Sequence, residues 1–191
     1  MDLPIYKLSI DDENETGVTY MALVDKPAIM VNWQAFSDQK QYFSDEQKRI
    51  ISGPAMIPDM PIFRRTQEFG EHYVVFDANT IEKIVAKFFR MNRVNNVNAM
   101  HKEGVDLAGV FMVESYFLDP ERGKSVPKNF SEELPTGTWW TSYKVDDQKV
   151  WDDFISTGKF RGFSVEGLFE YPPATEEDAL IQEILSAING K

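Results

Sequence analysis

Cysteine is absent from this sequence, and histidine occurs only twice, at His72 and His101. The first absence removes thiol nucleophiles, disulfides and cysteine-based zinc sites together, and it suits an intracellular life. The second leaves little material for a metal centre, because neither histidine has a histidine partner four residues away. No HExxH motif, phosphate-cradling loop ending in Lys-Ser/Thr or paired-glycine dinucleotide fingerprint is found either. The expectation is therefore no metal and no cofactor. Positive charge is also short: 20 Lys and Arg stand against 31 Asp and Glu, a formal charge of −11. That balance argues against a nucleic-acid partner, since neutralising phosphates takes clustered cations. No apolar run approaches the ~18 residues of a membrane span. The opening "MDLPIYKLSIDDENE" has neither the basic nor the apolar region of a signal peptide. The expectation is a soluble, cytoplasmic protein without a membrane partner.

What the chain does hold is apolar and aromatic. In 191 residues, 42% are hydrophobic and 13% aromatic, which is enough for one domain with a ring-rich core. Strands are predicted at 3–9, 17–24, 30–36, 71–76, 110–119, 137–145 and 159–171. Ser44 and Gln47 could form a capping box, but "KRIISGPAMI" reads better as a strand interrupted at Gly53-Pro54. A helix is predicted over 79–90, where Ile81, Ile84, Val85 and Phe88 share a face and Asn79 pairs with Glu82 at the cap. A second helix covers 147–158, buries Val150, Trp151, Phe154 and Ile155, and stops at Gly158. Strands outnumber helices without alternating with them. The fold class read from this is α+β: a small β-barrel or curled, mostly antiparallel sheet with surrounding helices. Residues 172–191 read as a linker followed by an amphipathic helix over 175–190. That helix either docks on the domain or binds scaffold or another copy.

"FRGFSVEG", residues 160–167, raises the chemical question. Its glycines stand at −2 and +3 from Ser164, so it is not the GxSxG elbow of α/β-hydrolases. A serine attacks a carbonyl only when a base takes its proton, and His101 in "NVNAMHKEG" lies at or just past a strand end. His72 in "GEHYVVF" reads as the polar face of a strand. Glu166, two residues from Ser164, shares its face on a strand, about 6–7 Å along. Glu114 in "MVESY" is an acid in an otherwise apolar strand, and if buried it would need a partner. Each acid also has a plain reading, Glu166 as a solvent-facing residue and Glu114 as half of an ion pair. Gly162 and Gly167 mark places of close backbone approach. "FRR" at 63–65 and Arg161 read better as salt-bridging residues than as binders of acidic substrate.

The order of His101 before Ser164 resembles the herpesvirus-assemblin-like proteases, including the prohead proteases of tailed phages. "GVTYMALVDKPAI", "GPAMIPDMPIFRR", "YVVFDANTIEKIVAKFF", "NVNAMHK", "GVFMVESYFLDP", "PTGTWWTSYKV" and "VWDDFISTGKFRGFSVEG" resemble, in that order, the XkdF-like serine proteases of phages. The likeness covers roughly residues 3–171, so that 1–171 would be the protease-like domain. It implies a serine endopeptidase of capsid maturation that cuts scaffold and major capsid protein, and itself, inside the immature shell in the host cytoplasm. It also implies Ser164 as nucleophile, His101 as general base, an acid as third member (Glu166, then Glu114, with His72 only on the herpesvirus pattern), and a homodimer. The alternative is a catalytically idle structural or scaffolding protein of the prohead. A small-molecule esterase lacks the elbow.

Overall fold

The computed structural model describes residues 3–11, 15–25, 48–102, 104–128, 130 and 133–172. The expected strand at 30–36, the Ser44–Gln47 cap and the C-terminal helix lie outside the described residues. Among the described residues nine strands make three open sheets. β1 (Ile5–Lys7) lies beside β5 (Gly70–Val75), which pairs with β4 (Ile62–Thr66). β6 (Val97–Ala99), β2 (Gly17–Val24) and β9 (Gly162–Leu168) form the second sheet, with β2 central. β3 (Ile50–Met56), β8 (Trp139–Val145) and β7 (Val110–Phe117) form the third, with β8 central.

The α+β class is borne out, but no closed barrel forms among the described residues. β3 and β9 come close without sharing a ladder. β3 runs straight through Gly53-Pro54 where an interruption was expected, and its register shifts between Pro54 and Met56. A proline removes a ladder donor and a bulge turns the strand, which suits β3 to a sheet edge and not to a closing seam. The pairing is mostly antiparallel, as expected; β1/β5 and β2/β6 are parallel, and the third sheet is antiparallel throughout.

The core lies between the second and third sheets. Met21, Leu23 and Phe163 from one side meet Ile51, Trp139 and Tyr143 from the other, all fully buried. The Tyr143 and Phe163 rings sit 5.3 Å apart, and burial pushes the Tyr143 phenol upward from its usual range. One helix closes the core: α1 (Ala78–Arg90) buries the expected stripe of Ile81, Ile84, Val85 and Phe88, with Phe88 edge-on to Trp139 at 5.5 Å. Its cap is Asp77, not Asn79: the Asp77 carboxylate accepts from Thr80 N at 2.7 Å and pairs with Lys7 at 2.6 Å. Those two donors hold the Asp77 carboxyl down to about 2. The cap therefore ties α1 to β1 at ordinary pH, an interaction present above the usual carboxylate range and lost only as pH falls through about 2.

The second predicted helix starts as α2 (Gln148–Val150), capped by Asp147, and continues as a π-turn over Trp151–Ile155. Gly158 ends it with φ +70°, as expected. Among the described residues no helix is long and apolar enough to cross a membrane.

Candidate active site

Ser164 stands in the middle of β9, and cross-strand register decides what stands beside it. Ala22 of β2 is opposite Ser164 on one side and opposite Asn98 of β6 on the other. Residues in register across neighbouring strands share a face. Asn98, Ala22 and Ser164 therefore form one row, with the smallest side chain in the centre. Glu166 lies two residues along the same strand, opposite Tyr20, and so joins that face.

The backbone at this end of β9 is tightly held. The β2/β9 register shifts between Val18 and Tyr20, and the Thr19 hydroxyl donates to the Glu166 carbonyl at 3.1 Å. At Gly167 the two strands nearly touch: a Cβ there would meet Gly17 O at 2.0 Å and Val18 Cα at 2.9 Å. Both obstacles are backbone, so nothing can rotate away, and the expected close approach at Gly167 is real. Gly167→Ala is predicted to cost about 1–3 kcal/mol of stability, read as a lowered urea midpoint. It should also displace Glu166.

His101 sits on the turn that leaves β6. Met100 and His101 have φ +57° and +55°, and Lys102 N donates back to Ala99 O at 3.1 Å. A four-residue turn with both central residues left-handed is the type I′ pattern, which ordinarily takes Asn-Gly. Here it is built from Met-His, at a strain on the order of 1–3 kcal/mol per residue. The turn is anchored by Met100 N on Leu23 O at 3.0 Å and by Asp25 N on Met100 Sδ at 3.3 Å. The result is an imidazole lifted off the strand end, its side chain 39% exposed.

The turn aims His101 at Glu166. His101 Nδ1 lies 3.2 Å from Glu166 Oε2, and Asn98 Nδ2 donates to the same oxygen at 2.9 Å. A carboxylate only accepts, so Nδ1 carries the hydrogen, and in the neutral ring Nε2 is then the acceptor. Asn98 is 3% exposed, and its Oδ1 is buried with no hydrogen-bond partner among the described residues. Flipping the amide would set oxygen against carboxylate oxygen, so Glu166 fixes its orientation.

Ser164, His101, Glu166 and Gly167 line one open groove of about 430 Å³. Its far wall comes from the first sheet and the chain beside it, through Leu8, Arg64, Val74 and Phe76. Ser164 is 6% exposed, and no hydrogen bond joins it to His101 among the described residues. A smaller apolar recess beside Ser164 is lined by Met56, Ile57, Ile62, Phe76 and Phe163.

The other candidates lie elsewhere. Glu114 stands exposed on β7 in the third sheet and accepts from the Ser142 hydroxyl at 2.6 Å, a serine where its plain reading had an Arg or Lys. His72 is fully buried, contrary to the wet strand face read from its sequence. Its Nδ1 donates to Gly70 O at 3.0 Å, and its Nε2 accepts from the Tyr171 hydroxyl at 2.9 Å. The rings of Tyr6 and Phe69 flank it. Of the basic residues expected to bridge, Arg65 does so with Glu71 at 3.8 Å. Arg161 donates to the Gly158 carbonyl, and Arg64 donates to the carbonyl of Phe63. Asn98 was missed altogether. Its one signal is an amide between Val97 and Ala99 in a short apolar strand.

A hydroxyl, an imidazole and a carboxylate around one groove are the functional groups of serine hydrolases. The comparison with protein families agrees: residues 40–171, well over half of the chain, match the family described as "Putative phage serine protease XkdF". The chain belongs to this XkdF-like family of phage serine proteases. No curated protein and no solved structure matches it.

Proposed function

We propose that the chain is a serine endopeptidase of phage capsid maturation. It cuts scaffold and major capsid protein, and its own chain, within the immature shell in the host cytoplasm, and it works as a homodimer. Ser164 is the nucleophile, His101 the general base and Glu166 the third member. The observation that carries this reading is the hydrogen bond from His101 Nδ1 to Glu166, in a side chain that lines the same groove as Ser164, with Nε2 unbonded among the described residues. As the Ser164 hydroxyl attacks the scissile carbonyl carbon, Nε2 takes its proton. The tetrahedral adduct then expels the amine, which leaves with that proton. Water, deprotonated by the same nitrogen, frees the acid product and restores Ser164. Glu166 keeps the ring in the useful tautomer and offsets the imidazolium charge.

Because no hydrogen bond joins Ser164 to His101, a second reading is a catalytically idle prohead protein. One experiment separates the two. A fluorophosphonate probe phosphonylates only an activated serine hydroxyl, with loss of fluoride. The peptidase reading expects one adduct per chain, mapped by mass spectrometry to the peptide holding Ser164 and lost in His101→Ala. An unlabelled native protein would favour the idle reading.

A further inference from the structure

We propose that Arg64 is a specificity determinant: it pairs with an acidic side chain of the bound peptide, so that the groove selects segments carrying Asp or Glu beside the scissile bond. This deepens the peptidase reading and rests on it for the word scissile, but the anion site itself rests on Arg64 alone.

Arg64 lies on β4 and is the one cation that this strand brings to the groove's far wall among the described residues. It lines both the groove and the apolar recess beside Ser164, and those two spaces share Ser164, Val165 and Phe76 as well. Arg64 thus borders both spaces from the first sheet, while Ser164 borders both from the second. The other first-sheet cations are neutralised: Lys7 by Asp77 at 2.6 Å and Arg65 by Glu71 at 3.8 Å. Arg64 has no carboxylate within ion-pair distance among the described residues; its hydrogen bond goes to its neighbour's carbonyl, Phe63 O, at 3.0 Å. Its cross-strand partner His72 is already engaged at both ring nitrogens. Glu166, the carboxylate of the groove, has Oε2 occupied by Asn98 and His101.

The environment makes this arrangement costly without a ligand. Arg64 is half-buried, and desolvation pulls its pKa below the usual arginine value. A guanidinium nonetheless stays charged, and a partly desolvated charge is stabilised by a paired anion. Four of its five N–H donors remain for that anion, in a fork that matches a carboxylate in two parallel bonds. The apolar recess next to it has only about 10 Å³ of free space, room for about one water, so the feature this wall offers a peptide is the guanidinium. The ligand it fits is a peptide with an acidic residue.

The test uses the whole chain carrying Ser164→Ala, so that peptides bind without being cut, and a positional-scanning library of fluorescent octapeptides read by polarisation. Replacing Glu by Gln or Asp by Asn at one position is expected to weaken binding about 10- to 100-fold. With Arg64→Gln added, acid and amide should bind alike; with Arg64→Glu the preference should turn towards Lys, and Arg64→Lys should keep a reduced acidic preference. Thermal melting of each variant monitors the fold. The proposal is overturned if the acidic preference survives in Arg64→Gln. It is equally overturned if that change weakens acidic and neutral peptides by the same factor, or if no peptide binds in an Arg64-dependent way. Failure of the peptidase reading looks different: the Arg64-dependent pattern persists, yet the protein with Ser164 restored leaves the best-bound peptides intact.

Discussion

Ser164→Ala is expected to reduce processing of capsid and scaffold segments by 10⁴-fold or more, on the order seen when a triad serine is removed, while the melting temperature stays put. The first half follows from chemistry: alanine leaves the groove with no group that can form the acyl intermediate. The second follows from geometry. Ser164 makes no hydrogen bond among the described residues that the fold would lose, and the row it belongs to already tolerates alanine at its centre, Ala22. His101→Ala should fall by a similar factor, and the double variant little further, because the two side chains act in one proton transfer. The measurement is the rate at which new N-termini appear by mass spectrometry when each variant is incubated with scaffold and capsid protein. If the double variant lost the product of the two single losses, the side chains would be acting independently and the shared mechanism would be wrong. Cleavage by Ser164→Ala at the native rate would remove the nucleophile assignment outright.

Much of this framework was legible in the sequence where one physical signal dominated. β2 matches its predicted span because eight residues in a row suit a buried central strand. α1 matches within a residue because its apolar stripe has only one reading. What escaped depended on partners distant in sequence. β4 carries "IFRRT", whose arginines mask any strand alternation, and it becomes a strand by pairing with β5. Asp77 displaced Asn79 as the cap because Lys7, seventy positions earlier in the chain, holds its carboxylate in place. Among the described residues the sheets stay open, and β3 carries Pro54 and a bulge beside it, a detail of edge donors that hydrophobic patterning does not record. At the site, Ser164, Glu166 and His101 were singled out by residue type, spacing and order. Their cooperation with Asn98 was not, because it arises only once β2 brings β6 and β9 to either side of itself. The left-handed turn under His101 was invisible for a related reason: Met-His lacks the glycine or asparagine that announces such a turn, and tertiary anchoring at Leu23 and Asp25 imposes it.

Glu166→Gln should lower kcat by about 10²- to 10⁴-fold with little change in KM, the range spanned by loss of an orienting carboxylate and loss of the correct tautomer. The side chain keeps its size and its strand position, so the groove keeps its shape. What changes is charge and donor pattern at one point. Glu166 Oε2 receives hydrogen bonds from both His101 Nδ1 and Asn98 Nδ2. A glutamine can accept both only through its single amide oxygen, and it brings no negative charge to meet the imidazolium formed during attack. If its NH₂ group turns towards the ring instead, Nδ1 must become the acceptor and Nε2 the protonated nitrogen, which cannot take the Ser164 proton. Asn98→Ala removes the second donor and should cost about tenfold in kcat, since it leaves the carboxylate charged but free to rotate. That variant also removes a buried carbonyl oxygen with no partner, so its stability should change little or even rise, whereas simple loss of packing would lower stability and activity together. Glu114→Gln serves as the control: it lies on β7 in another sheet, bonded to Ser142, and should cut at the native rate. A Glu166→Gln enzyme with unchanged kcat would mean that the hydrogen bond to His101 is incidental, and the third role would have to pass to another residue.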